Sequence, residues 1–265
     1  VFVKIGKLLI AAFLAGVLAL QFIYLVEYFN PEIYINYGLQ LNYLTSAFSM
    51  VLVLLVFFLL CVENERLDNF NVDRYSILTL ILFSFLWLTL GLSFMIIIGL
   101  ALSSVVIVLI AKRPQIQRTN RNWTLAGILG SILLIIVIIT FELLLRGNWS
   151  VPRLLQNNLI VTVVINIAKQ LVFISLPEEL LFRGFIWGYL RSKGLKEINI
   201  AWIQGAVFWL MHFSRLVTPF SFFVIVPIQT LISSLLTLRS KQVFPAVISH
   251  TIFNTLGTIL NLATF

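Results

Sequence analysis

The acids and histidines that sit deep in the apolar stretches of this chain are few, and they lie at three places. Glu178 and Glu179 share one apolar run, His212 sits in a second, and His250 sits in a third with Asn254 four residues after it. An acid–base group at membrane depth is costly, so each is a functional candidate by default. A carboxylate and an imidazole facing one water-poor cavity can act on water as general base and acid. Neutral Asn and His donors aimed at a developing oxyanion are worth most where water is scarce. That chemistry needs no covalent nucleophile.

Each position also has a plainer reading. Ser175-Leu-Pro-Glu178 has the spacing of a capping box for a helix restarting after a break at Pro177. Glu179 and Arg183 are four apart and can pair on one helix face. Neighbouring helix residues point about 100° apart, so Arg183 can occupy Glu179 and leave Glu178 free to face a cavity. Phe208 and His212, and His250 and Asn254, are likewise four apart and share faces. A membrane histidine can serve only as an interhelical hydrogen-bond partner. Phe208 and Trp209 read as packing or lipid contact, Lys169 as snorkelling or paired in the bundle, and Cys61 as inert. Glu142, four residues before Arg146, reads as half of a helix-surface ion pair.

The elements that must position these groups are membrane helices. The chain has 265 residues, 60% hydrophobic and 11% charged, against roughly 25% charged in an average soluble domain. A soluble globule cannot hide that much apolar surface, so a soluble enzyme is excluded. A helix crossing needs about 20 apolar residues. Such runs fall at 8–26, 43–62, 76–92, 94–111, 124–145, 157–191, 198–213, 220–238 and 243–262. The uncharged stretch 76–111 would make one helix roughly 54 Å long, so it is divided near Ser93. The run 157–191 is read as one crossing, broken or kinked near Pro177. The first run is too long for a signal-peptide core and is read as a retained helix. The expected fold is an all-α, polytopic transmembrane bundle of eight to nine helices. Residues 1–156 supply helices without motifs and 157–265 the catalytic part of one continuous bundle.

Charge placement sets the expected orientation. With the N-terminus in the cytoplasm, thirteen Lys and Arg fall on the cytoplasmic side and three, Arg146, Arg153 and Arg215, outside. The net charge of +8 is therefore topology chemistry and not a nucleic-acid signal. On this topology Glu178, His212, His250 and Asn254 lie roughly 11–21 Å from the cytoplasmic helix ends. Their depths overlap, and the cavity they form is expected to open to the cytoplasm.

Taken in order, Glu178-Glu179-Leu-Leu-Phe-Arg183-Gly184, Phe208-Trp-Leu-Met-His212 and His250-Thr-Ile-Phe-Asn254 resemble the three motifs of the CPBP family. This family holds the type II CAAX prenyl proteases and the bacteriocin-processing or immunity proteins also called Abi. The resemblance covers about residues 157–262. It implies a glutamate-dependent intramembrane endopeptidase without a catalytic metal or other cofactor. In that scheme Glu178 and His212 polarise the attacking water, and His250 and Asn254 stabilise the oxyanion. Glu179, Arg183 and Phe208 hold the motifs in place. The implied partners are the lipid bilayer and a peptide or lipid-anchored protein substrate; the short loops and the Leu181-Phe-Arg-Gly184 wording read as those of a prokaryotic cell-membrane protein.

Other classes fit less of the sequence. Glu178, Glu179, His212 and His250 could ligate zinc, but no HExxH helix exists. Gly91-Leu-Ser93 is too short an echo of a rhomboid serine site. Asp68 and Asp73 are the only aspartates and share a loop, which excludes an aspartyl intramembrane protease. The polar groups cluster in the C-terminal part, unlike the two related halves of a transporter. A non-proteolytic scaffold or immunity protein remains the alternative from a different class.

Overall fold

A computed structural model of the protein describes residues 2–29, 51, 52, 54–56, 58, 59, 121–146, 159–213, 215 and 218–260. The expected runs at 76–92 and 94–111, most of the run at 43–62, and the loop bearing Asp68 and Asp73 lie outside the described residues, as do Cys61 and Ser93. Every regular element among the described residues is helical. Helix α1 is Phe2–Phe29 and α2 is Arg121–Arg146. Helix α3 is a composite running from Leu159 to Ser192, α4 is Glu197–Leu210, α5 runs from Ser221 to Ser240 and α6 is Phe244–Ile259.

Among the described residues two stretches, Arg121–Leu144 and Ser221–Ser240, are long and apolar enough to cross a membrane, with mean hydropathy 2.7 and 1.9. On α2 the large apolar residues Leu125, Leu129, Leu133 and Leu144 are exposed, while Ser131 and Glu142 are buried. A water-soluble helix would show the reverse. This polarity suits a helix with hydrocarbon outside and protein inside.

With lipid as apolar as any side chain, helices associate through small residues and hydrogen bonds. Helix α2 follows that rule where it crosses α6. A Cβ on Gly127 would lie 3.1 Å from the Pro245 carbonyl oxygen and 3.3 Å from Ser249 Cβ. One turn on, Ser131 Oγ is 2.9 Å from the Ser249 carbonyl oxygen and 2.7 Å from Ser249 Oγ. Helices α4 and α5 use the same device. A Cβ on Gly205 would approach Thr230 Cγ2 to 3.2 Å, and the buried Gln204 donates from Nε2 to Ser234 Oγ at 2.5 Å.

Helix α3 continues through Pro177, so of the break or kink expected there the break is absent. The chain is α-helical over Leu159–Gln170, widens to π geometry over Leu171–Ser175, and returns to α over Leu176–Glu179. It widens again over Leu180–Ile186 and ends as α-helix at Trp187–Ser192. Ser175 keeps helical dihedrals and makes no capping hydrogen bond, so the capping-box reading of Glu178 falls with the break. The physical reason is the proline ring. It lacks an N–H and crowds the carbonyl four residues back. Here the Leu176 N–H reaches Leu171 O, five residues back, and the wider turn relieves the crowding without ending the helix. Helix α5 repeats the arrangement: Ser221–Ile225 is π-helical, the Val226 N–H reaches Ser221 O, and Pro227 follows.

The helix ends are fixed locally. Gly194 takes φ +80° in the turn between α3 and α4, a region open to glycine. At that same end, Glu197 accepts from Arg191 Nε at 2.5 Å, Arg191 Nη2 at 2.8 Å and Trp187 Nε1 at 2.9 Å. Lys241 Nζ lies 4.0 Å from the same carboxylate, so α3, α4 and the end of α5 meet there. Burial of Leu180, Leu181, Phe185, Trp187, Ile200 and Val247 fills the bundle next to this cluster. Phe13 of α1 and Leu52, Leu55, Val56 and Leu59 pack into the same core.

Candidate functional site

Three helices deliver the expected groups to one place. Helix α3 carries Glu178, Glu179 and Arg183, the end of α4 carries Phe208 and His212, and α6 carries His250 and Asn254. Glu178, Phe208, His212, His250 and Asn254 all line one cavity of about 260 Å³. Glu179 and Arg183 do not line it and are buried behind it.

The two adjacent glutamates have different surroundings. Glu179 Oε1 accepts from Arg183 Nη1 at 3.2 Å and lies 2.9 Å from His250 Nδ1, with its side chain 1% exposed. Glu178 is 22% exposed, and its Oε2 is 3.9 Å from His250 Nε2. No described residue gives that oxygen a hydrogen bond. The expected division therefore appears in the geometry: Arg183 occupies Glu179, and Glu178 is left facing the cavity. Beyond the expectation, Glu179 also grips His250, so the Arg183–Glu179 pair orients an imidazole on another helix.

Arg183 is fully buried and contacted on three sides, while its Nε has no hydrogen-bond partner among the described residues. Besides Glu179, its Nη2 is 3.5 Å from the Thr230 carbonyl oxygen, and its Cζ stands 4.4 Å above the Phe208 ring. A guanidinium over an aromatic face is a favourable pairing. Phe208 also meets Phe182 edge-on at 5.0 Å, His212 at 4.6 Å and His250 at 6.0 Å, centroid to centroid. It is a buried hub among motif side chains, and the lipid-contact reading of it is corrected. Trp209 donates its indole N–H to the Phe222 carbonyl oxygen at 2.7 Å, in the widened turn of α5.

Carbonyl and carboxylate partners fix the histidine tautomers, since those oxygens only accept. His212 Nδ1 is 2.9 Å from the Phe208 carbonyl oxygen. Nδ1 thus carries the proton, and a neutral His212 offers Nε2 as an acceptor. His250 presents Nδ1 to Glu179 in the same way, which turns Nε2 toward Glu178. For Nε2 of His250 to donate to an oxyanion, the ring must hold both protons. His212 itself lies just past the last residue of α4, in a turn, not within the helix as the apolar run suggested.

The rest of the cavity wall went unnoticed in the sequence. Gln170, Gln229, Ser221, Thr258 and Arg215 line it with the motif residues. A signal existed for the two glutamines, which are polar residues inside apolar runs, but only titratable groups were counted there. Arg215 was read as a topology charge alone. A second cavity of about 200 Å³ lies beyond Glu178, Phe208 and His212, lined otherwise by Phe13, Val17, Leu20 and Gln21 of α1 with Leu52, Phe182 and Met211. Helix α1 carries no motif, yet it walls the site. Lys169 is exposed, as a snorkelling side chain would be. Glu142 is buried, with no hydrogen-bond partner for Oε1 among the described residues, and the side chain of Arg146 lies outside them.

The first cavity lies in the part of the bundle away from the cluster of Arg191, Glu197 and Lys241. Its lining comes from the halves of α4, α5 and α6 farther from the Arg191–Glu197–Lys241 cluster: His212, Arg215, Ser221, Ile225 and Thr258. The cluster end was assigned to the cytoplasm, and between it and Glu178 the bundle is filled by buried Leu181, Phe185 and Trp187. Among the described residues no group of three His, Cys, Asp or Glu side chains is arranged to hold a metal ion.

Residues 160–256 match the model of the Rce1-like family, type II CAAX prenyl endopeptidases. The match contains all three motifs and agrees with the resemblance read from them. The family is one of membrane-embedded proteases. No curated protein and no solved structure matches the chain.

Proposed function

We propose that the protein is a multi-pass intramembrane endopeptidase that hydrolyses a peptide bond of a membrane-associated or prenylated, CAAX-type substrate. The observation that carries this reading is the pair of unlike glutamates. One is locked by Arg183 and His250, and the other stands on the wall of a polar cavity with His212 and Asn254. A purely structural pair explains Glu179 but gives Glu178 no task. The match of residues 160–256 to the endopeptidase family supports the same reading.

In the proposed reaction a water donates one hydrogen bond to the Glu178 carboxylate and the other to His212 Nε2. Glu178 takes the proton as the water oxygen attacks the scissile carbonyl carbon. The carbonyl π electrons move to oxygen, and the Asn254 amide N–H and a doubly protonated His250 receive the negative charge. As the tetrahedral species collapses, the C–N bond breaks and Glu178 returns its proton to the leaving amine. Arg183 and Glu179 hold the ring of His250 at the correct angle, and Phe208 keeps the two imidazoles apart. No metal or other cofactor enters these steps. The whole chain forms one bundle of eight to nine helices, in which residues 1–156 support the catalytic part at 157–265 and the N-terminus is cytoplasmic.

The test is cleavage of a quenched fluorescent peptide bearing a prenylated cysteine by purified protein. The wild type should cleave it, and Glu178→Gln should lower turnover by about 10²–10⁴-fold, the usual cost of a lost general base. The variant should keep the wild-type melting temperature. Near-wild-type turnover by Glu178→Gln rejects the assignment. Inactivity of the folded wild type favours the scaffold or immunity-protein alternative.

A further inference from the structure

We infer that the outer face of the α4–α5 pair is a binding site for one anionic glycerophospholipid, with an acyl chain in the furrow between the helices and the phosphate on Arg239, Lys241 and Lys196. The site does not depend on the peptidase reading. The furrow follows from how the two helices meet. They run antiparallel, with Gly205 against Thr230 and Gln204 Nε2 donating to Ser234 Oγ. One edge of this contact turns into the bundle and carries the buried Phe208 and Ser233. The other edge carries Ile198, Trp202 and Ala206 on α4 and Leu231 and Leu235 on α5, all exposed. Spacing by four keeps each set on one helix face. Gly205 has no side chain, so α4 and α5 approach closely and the exposed side chains stand as walls on either side of a shallow floor. Apolar walls facing the hydrocarbon suit a flexible acyl chain.

Charge selects the headgroup. The stripe of Leu231 and Leu235 continues four residues on to Arg239, which is exposed. From Leu231 to Arg239 is about 12 Å along the helix, a length that part of an acyl chain fills below its headgroup. Lys241 follows with its side chain 58% exposed, and Lys196 is exposed at the start of α4, two residues before Ile198. Both helices therefore bring bases to the same end of the furrow. Among the described residues the one acid at this end is Glu197, which already accepts from Arg191 and Trp187, with Lys241 Nζ 4.0 Å away. Lys241 holds φ +57°, a left-handed position that glycine fills with less strain, and glycine would remove the charge. Three bases against one engaged carboxylate leave an excess of positive charge where an anionic leaflet meets the protein. The Arg239 fork can take two phosphate oxygens. A phosphatidylcholine carries its own compensating ammonium and a phosphatidylglycerol does not, so the bases favour the second.

The experiment titrates the purified full chain, in a neutral detergent, with phosphatidylglycerol or phosphatidylcholine of the same acyl chains, and native mass spectrometry reads the first lipid bound. The wild type should bind phosphatidylglycerol about tenfold more tightly. The double variant Arg239→Gln/Lys241→Gln should bring that ratio toward one. Lys196→Gln/Arg239→Gln, which leaves the Lys241–Glu197 contact in place, should do the same. Trp202→Ala should weaken both lipids alike. Arg121 is an exposed base on α2 at the same end of the bundle, and Arg121→Gln should leave the ratio as it is. A ratio of one in the wild type overturns the site, as does a ratio that survives both double variants. An equal fall with Arg121→Gln also overturns it, because general surface charge then accounts for the preference. Phosphatidylglycerol carrying a photoreactive group in its acyl chain should attach within residues 198–206 and 228–239, and attachment confined to other helices rejects the furrow.

Discussion

His250 and Glu179, on different helices and 71 positions apart, face each other at 2.9 Å, and Arg183 shares the same carboxylate oxygen at 3.2 Å. The three side chains tie α3 to α6 beside the cavity, with His250 on its wall and Glu179 and Arg183 behind it. Removing one partner of a buried ion pair strands the other charge, at roughly 3–5 kcal/mol. Arg183→Ala is expected to lower thermal stability and yield along with activity. Thermal unfolding of the purified variant checks this, and a variant that is inactive yet as stable as wild type would move Arg183 into the chemistry.

Acid should loosen the other end of the bundle first. Hydrogen bonds from Arg191, with a further one from Trp187 and the charge of Lys241, hold the Glu197 carboxyl below its ordinary value of 4.5. A carboxylate with a lowered folded-state pKa adds stability that is complete above its unfolded value and is lost as pH falls through the folded one. Wild type should therefore melt higher than Glu197→Gln at pH 7, and the gap should close as pH falls below 4.5. A gap that stays constant across that range would contradict the role given to Glu197.

Metal dependence separates the proposed water activation from zinc hydrolysis. Protein treated with a strong chelator and freed of it should retain its turnover and contain no stoichiometric zinc. One tightly held zinc per chain, lost together with activity and restoring it on return, would replace the glutamate mechanism.

Sidedness can be read by labelling. Lys193 is exposed at the cluster end, and Thr258 is exposed on the cavity wall at the other end. Cysteines placed at these positions should react with an impermeant reagent from opposite faces of the membrane, with Lys193→Cys labelled from the cytoplasm. Labelling of both from one face would be incompatible with the helix directions described above.

Among the described residues the helices were legible because lipid exposure writes long apolar runs into a sequence. The run 124–145 became Arg121–Arg146, and the described part of 157–191 is one continuous helix from Leu159 to Ser192. The motif residues were legible because charge at membrane depth is rare. What escaped had no periodic or compositional trace. Pro177 was read as a break or kink because proline in a plain α-turn demands one or the other, and only the backbone shows the five-residue reach from Leu176 to Leu171 that accommodates it. His212 was assigned to a helix because apolarity continues to Phe213 after the helical hydrogen bonding ends at Leu210. Gln170, Gln229 and Arg215 were passed over because the face a polar side chain turns to depends on neighbours far away in sequence.

The widened turns ahead of Pro177 and Pro227 make residue number, not only residue type, a constraint on this protein. Each holds one residue more than an α-helix of the same rotation needs. Deleting one residue from Leu171–Ser175 would let ordinary helical winding resume with Gln170 still on its present face. It would also bring a carbonyl back beneath the proline ring, at a cost of about 3 kcal/mol. Length and proline are therefore coupled: the shortened helix should recover its melting temperature when Pro177 is replaced by leucine. Homologous chains should lose the extra residue and the proline as a pair.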